Sequence, residues 1–181
     1  AWGVDVSGGA EKGAAAVGAA CGAGAFLIWG LIPILFKQMG HVPAMEILAH
    51  RIVWAALLMA LVAAAVSGNR RVRESLANPR VLGALAVSAT AVAVNWLVFI
   101  WAVNQDRVLE TSLGYFMMPL VNVIFGVAFL GERLRPAQWI AVGLAVTGVA
   151  VMAVGHGGPP WVPLALAVSF GLYGLMRKIT P

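Results

Sequence analysis

Three ionisable residues stand at the head of an apolar run. The segment VPAMEILAHRIVWAALLMALVA, residues 42–63, carries Glu46, His50 and Arg51 in its first half and no charge in its second. Glu46 and His50 are spaced i, i+4, so on a helix they share a face, can hydrogen-bond, and either can take a proton. Arg51 is turned ~100° from His50 and addresses a different neighbour. A charged side chain at the centre of a membrane span costs about 2.5–3.5 kcal/mol on insertion scales, so an ionisable residue retained there marks a pathway. Two readings fit the cluster. It lines a cavity that opens outward, or it is an interfacial set in which Arg51 snorkels to lipid headgroups.

A second polar group lies in TSLGYFMMPLVNVIFG, residues 111–126. Pro119 has no N–H, so the carbonyl of Tyr115 loses its helical donor and the helix is expected to kink. Asn122 follows on nearly the same face, with Tyr115 and Ser112 one or two turns earlier. Together these make an uncharged polar site; alternatively Pro119 only shapes packing and Asn122 clips two helices together. Asn95, in NWLVFIWAVN, is open to the same two readings, clip or ligand. Trp96 and Trp101 line a cavity or meet lipid, and Trp101, Trp139 and Trp161, near the ends of apolar runs, fit an interfacial aromatic belt. No metal-ligand spacing, phosphate loop or nucleophile–base pair occurs, and the single cysteine, Cys21, sits in an apolar run. No enzyme, cofactor or metal is expected.

The elements that hold these residues follow from composition. Of the 181 residues, 61% are hydrophobic and 10% charged, against roughly 25% charged in soluble domains. The expected fold class is all-α, a polytopic membrane helical bundle, because lipid leaves backbone polar groups to be satisfied within helices. Six stretches approach the ~20 apolar residues a span needs: 13–36, 44–66, 81–103, 111–130, 136–154 and 161–176. The gaps between them are too short for a soluble domain. Pro43, Pro136 and Pro160 stand where helices should begin. The net charge of +5 lies in those gaps, which argues against a nucleic-acid partner. Lys12, Arg70, Arg71, Arg73, Arg80, Arg133, Arg135, Arg177 and Lys178 fall on one side of the membrane; Lys37, Arg51 and Arg107 fall on the other. The positive side is expected to be cytoplasmic, with the N-terminus inside. Within the loops, Glu132 is expected to pair with a neighbouring turn cation, and His156 to be solvated. The first run shows no signal-peptide cleavage site, and the absence of an initial methionine suggests processing or a fragment. The GxxxG at Gly18–Gly22 signals close packing and no more.

FLIWGL (residues 26–31) is similar to FGLYGL (residues 170–175), one five-helix unit later. An odd number of spans inverts the second unit relative to the first, and repeat transporters of that kind bind between their repeats. The expected division is 1–155 as a five-helix repeat and 156–181 as a loop plus the first helix of a second.

The segments WGLIPILFK, EILAHRIVW, NWLVFIWAVN, LETSLGYFMMPLVNVIFGVAFLGERLRPAQWIAVGLAVTGV and PWVPLALAVSFGLYGLMRK resemble, in order, the EamA-like drug/metabolite transporters, and among them the RarD, or chloramphenicol-sensitive, branch. The resemblance covers about residues 12–178 and implies ten helices in two inverted repeats in a bacterial inner membrane. It implies secondary transport of small metabolites or drugs. It also makes Glu46, His50, Arg51, Asn95, Tyr115, Pro119 and Asn122 the polar positions of the pathway. The chain departs from the pattern in length, lacking a second repeat beyond its first helix. The partners implied are the lipid bilayer and a small-molecule substrate. The competing reading is a non-transporting membrane subunit or half-protein that acts as an assembly partner, for instance as a homodimer.

Overall fold

The computed structural model describes residues 7–65, 77–154 and 160–179. Among them are six helices and no strand: α1 (Ser7–Gln38), α2 (Ala44–Ala65), α3 (Pro79–Asn104), α4 (Val108–Leu130), α5 (Pro136–Val154) and α6 (Trp161–Ile179). All six expected stretches are helical over their described residues. Five helices are long and apolar enough to cross a membrane; the described apolar stretch of α5, Pro136–Val151, falls short of that length. The basic segment 70–73 and His156 lie outside the described residues.

The helix ends follow local chemistry. Pro43 and Pro160 precede α2 and α6, and their carbonyls accept first-turn N–H groups from Glu46 at 2.9 Å and Leu164 at 3.1 Å. Asn78 caps α3, its side chain accepting from the Arg80 N–H at 3.0 Å, with Pro79 in the first turn. α3 stops in a Schellman turn: the Asp106 N–H donates to Val103 at 3.2 Å and the Arg107 N–H to Ala102 at 2.9 Å. The residue at the left-handed position is Asp106 (φ 62°), a type that tolerates that conformation. α4 ends on Gly131 (φ 65°), where glycine carries no Cβ penalty. Through Pro119 α4 remains one unbroken helix.

The chain divides into two compact units, Ala1–Met39 and Gly40–Pro181. In the first, α1 exposes large apolar side chains, among them Phe26 (73%) and Trp29 (64%), whose rings meet edge to face at 6.1 Å. In the second, α6 packs most extensively on α4 and next on α3, while α2 lies on α3 and α5 on α4. Ile100, Val103, Leu113, Val162 and Leu166 are almost fully buried at these crossings.

Small residues set the approach of α4 to α6. A Cβ on Gly114 would stand 3.0 Å from the Leu166 Cβ and 3.2 Å from the Pro163 Cα; one on Gly171 would stand 2.7 Å from Val121 Cγ1. By contrast, nothing lies within 4 Å of a Cβ built on Gly18 or Gly22. Gly114→Val should therefore destabilise the chain by about 1–3 kcal/mol through overpacking, whereas Gly22→Ala should change stability by less than ~0.5 kcal/mol. Thermal unfolding of both variants in one detergent measures the contrast.

Candidate functional site

Ile47 and Leu48 are buried where α2 meets α3, and Arg51 follows them at helical spacing on the same side. Its guanidinium lies over the Trp96 ring of α3, with Cζ 3.4 Å from the ring centroid. Trp96 stands edge to face against Phe99 at 5.6 Å, and Phe99 against Tyr115 of α4 at 5.9 Å. A line of π faces thus runs from α2 across α3 to α4, with Arg51 at one end and Tyr115 at the other. Both end residues are exposed, Trp96 is half-buried and Phe99 is buried. Arg51 and Tyr115 are within electrostatic reach of one another. Glu46 and His50 are exposed on α2, and among the described residues no carboxylate forms an ion pair with Arg51.

Asn95, next to Trp96 in sequence, points the other way. It is 3% exposed, and its Nδ2 donates to the Leu166 carbonyl at 2.9 Å and to Ser169 Oγ at 3.0 Å. The Ser169 hydroxyl donates in turn to the Ala165 carbonyl at 2.6 Å. Of the two readings open for Asn95, these bonds are those of a clip between α3 and α6. The hydroxyls of Thr111 and Ser112 donate back to the Val108 carbonyl at 2.7 and 3.2 Å. Ser112 is thereby drawn to its own helix and away from the polar site expected around Pro119, which is exposed.

Asn122 belongs to a different place. It lines a cavity of about 320 Å³ between α4 and α6, walled by Phe125, Gly126, Gly171, Gly174 and Lys178 among others. The Gly174 side is open enough that an added Cβ would meet only Asn122 Oδ1, at 3.5 Å. At the rim, Lys178 Nζ donates to Glu132 Oε1 at 2.8 Å. Glu132 is expected from sequence to pair with a cation of its own turn; it pairs instead with Lys178, 46 residues away, because the turn after Gly131 folds its carboxylate back over Gly126. The polar positions read from sequence therefore separate into an Arg51–Trp96–Tyr115 face, an Asn95 clip and an Asn122 cavity.

One cluster escaped the sequence reading. Glu110, in the first turn of α4, is 5% exposed and receives both Nε and Nη2 of Arg107, the helix N-cap, the latter at 2.9 Å. The same guanidinium lies 5.4 Å from the Trp101 ring and 5.2 Å from the Trp161 ring, and those rings are 5.1 Å apart. The two tryptophans read as belt residues thus also enclose a paired arginine. The signal was present in RVLE: an acidic residue three after the N-cap is favoured by the helix dipole and can reach back to it.

Two stability predictions follow from these contacts. Asn95→Ala should destabilise by about 0.5–2 kcal/mol, and a cycle with Ser169→Ala should show coupling above ~0.5 kcal/mol, since both remove one shared bond. Arg107→Ala should cost more than Lys178→Ala, about 1–3 against under ~1 kcal/mol, because Glu110 is buried whereas the Lys178 and Glu132 side chains are 59% and 50% exposed. Chemical denaturation of single and double variants reads both.

Residues 16–154 match the model of the EamA-like transporter family. The chain is 49% identical over 157 residues to protein RarD of Streptomyces exfoliatus, covering 87% of this chain and 50% of that protein. It is 46% identical over 154 residues to protein RarD of Escherichia coli K12, covering 85% and 52%. To an uncharacterised transporter of Vibrio cholerae it is 48% identical, covering 85% and 51%. The chain thus spans about half the length of the curated relatives it matches. No solved structure matches.

Proposed function

This chain belongs to the EamA-like transporter family, and we propose that it works as part of a secondary transporter that moves small organic solutes by alternating access. Residues 1–155 form the first five-helix repeat and 156–181 the opening of a second, inverted one, with the N-terminus cytoplasmic. The likeness of residues 26–31 to 170–175 and the greater length of the relatives support this division.

The observation that carries the reading is Arg51 on Trp96. A cation within an apolar span, held by a ring face and left open on its other side, is where a solute can be met. Glu46 and His50, exposed on the same helix, are the groups able to carry a proton with it. A relative in Pseudomonas aeruginosa, 31% identical, is called a chloramphenicol-sensitive protein, so chloramphenicol belongs among the solutes tried.

Flux of a panel of small solutes through reconstituted vesicles tests this. Arg51→Ala should lower flux at least about tenfold, as expected for loss of a charge-assisted contact. Glu46→Gln should keep flux but flatten its pH dependence. Parental flux in both variants across pH would remove the cluster from the pathway.

A further inference from the structure

We propose that the Arg51–Trp96–Tyr115 face is an oxyanion-binding site, and that its ligand is a small organic anion: a carboxylate or phosphate joined to a flat apolar body. The inference rests on the transport reading and narrows it to a substrate class.

The chemistry lies in which parts of Arg51 are used. Stacking engages the π face of a guanidinium and leaves its N–H edge, a planar fork of donors that matches a carboxylate or phosphate. With Cζ 3.4 Å from the Trp96 centroid, one face of Arg51 is covered. Among the described residues no carboxylate takes up the fork. The side chain is exposed, so the donors are reachable. Arg107 supplies the internal contrast: it too meets indole rings, but Glu110 fills its fork.

The body of the ligand follows from what lies beside the fork. Phe99 is buried behind Trp96, and Tyr115, 43% exposed, closes the ring line 5.9 Å from Phe99. A flat apolar group attached to the oxyanion would lie against the open parts of Trp96 and Tyr115, with the phenol hydroxyl able to donate to its polar edge. A cationic solute is disfavoured by Arg51 itself, and a neutral one leaves the fork unmatched.

A lipid phosphate offers the same oxyanion, so the test separates the two sources. The whole chain is placed in nanodiscs of phosphatidylcholine alone, and benzoate, phenyl phosphate, benzamide and benzylamine are titrated by equilibrium dialysis. Benzoate or phenyl phosphate should bind saturably, with benzamide and benzylamine at least about tenfold weaker. Arg51→Gln should weaken the anion at least about tenfold, and Arg51→Lys, which keeps charge but not the fork, by about threefold or more. Trp96→Leu, which frees the guanidinium plane, should also weaken it. Each variant is first matched to its parent in thermal unfolding; the Lys variant keeps the question answerable should the Gln variant fail to fold. A second set of discs contains phosphatidylglycerol, and mass spectrometry counts the lipid retained. Equal binding of benzoate and benzamide, or anion binding indifferent to Arg51, overturns the proposal. So does retention of phosphatidylglycerol through Arg51 with no soluble anion bound. Anion binding through Arg51 without flux of any solute would keep this inference and sink the transport reading; flux with no such binding would do the reverse.

Discussion

The close approach of α4 to α6 is the constraint on which the rest of the second unit depends. Apolar helices in lipid gain nothing by hiding from water, so their association rests on contact and hydrogen bonds. Gly114 under Leu166 and Pro163, and Gly171 under Val121 and Phe125, supply the contact. Asn95 supplies the bond, tying α3 to the α6 backbone. With α3 and α4 both held on α6, Phe99 meets Tyr115 and, on its other neighbour, Trp96, over which α2 lays Arg51. The Asn122 cavity lies on the same seam, where Gly174 leaves room: a Cβ there would meet only Asn122 Oδ1, at 3.5 Å.

Magnitudes decide what the Arg51–Trp96 stack can do by itself. A cation–π contact contributes about 0.5–2 kcal/mol, while an arginine at mid-span costs about 2.5–3.5 kcal/mol on insertion scales. The stack alone does not offset that burial. Arg51 is exposed rather than buried, as the shortfall requires: its outer edge must keep water, a headgroup or a solute. The indole covers one side of the guanidinium without neutralising it.

The helices were legible in the sequence because the membrane leaves one choice. Each of the six apolar stretches is helical over its described residues, with α1 starting six residues before its expected limit and α3, α4 and α6 running two or three residues beyond theirs. The i, i+4 and i, i+3 relations were legible too, and they set Arg51 apart from His50. Partners across helices were not legible. Nothing in one chain's periodicity says that Arg51 meets Trp96, that Asn95 turns to α6 rather than to a cavity, or that Glu132 reaches Lys178. Those contacts depend on helix rotation and crossing, which are set by the size of residues on the facing helix. Gly114 and Gly171 set them here, and as two of 21 glycines they carried no mark of it.

Arg51 and Arg107 show why residue type alone misleads in a span. Both were counted as cations on the sparsely charged side, and both end against tryptophan. Arg107 caps α4, where Glu110 at the dipole's positive end accepts two of its donors and two indoles close over it. Its charge is satisfied locally, and the cluster joins the α3–α4 turn to α6. Arg51 has the ring and, among the described residues, no carboxylate. The same side chain is thus tied into the fold by its hydrogen-bonding edge in one place and by its π face alone in the other. Among the described residues the two arginines differ in one feature, an acidic residue three positions after Arg107 at a helix start.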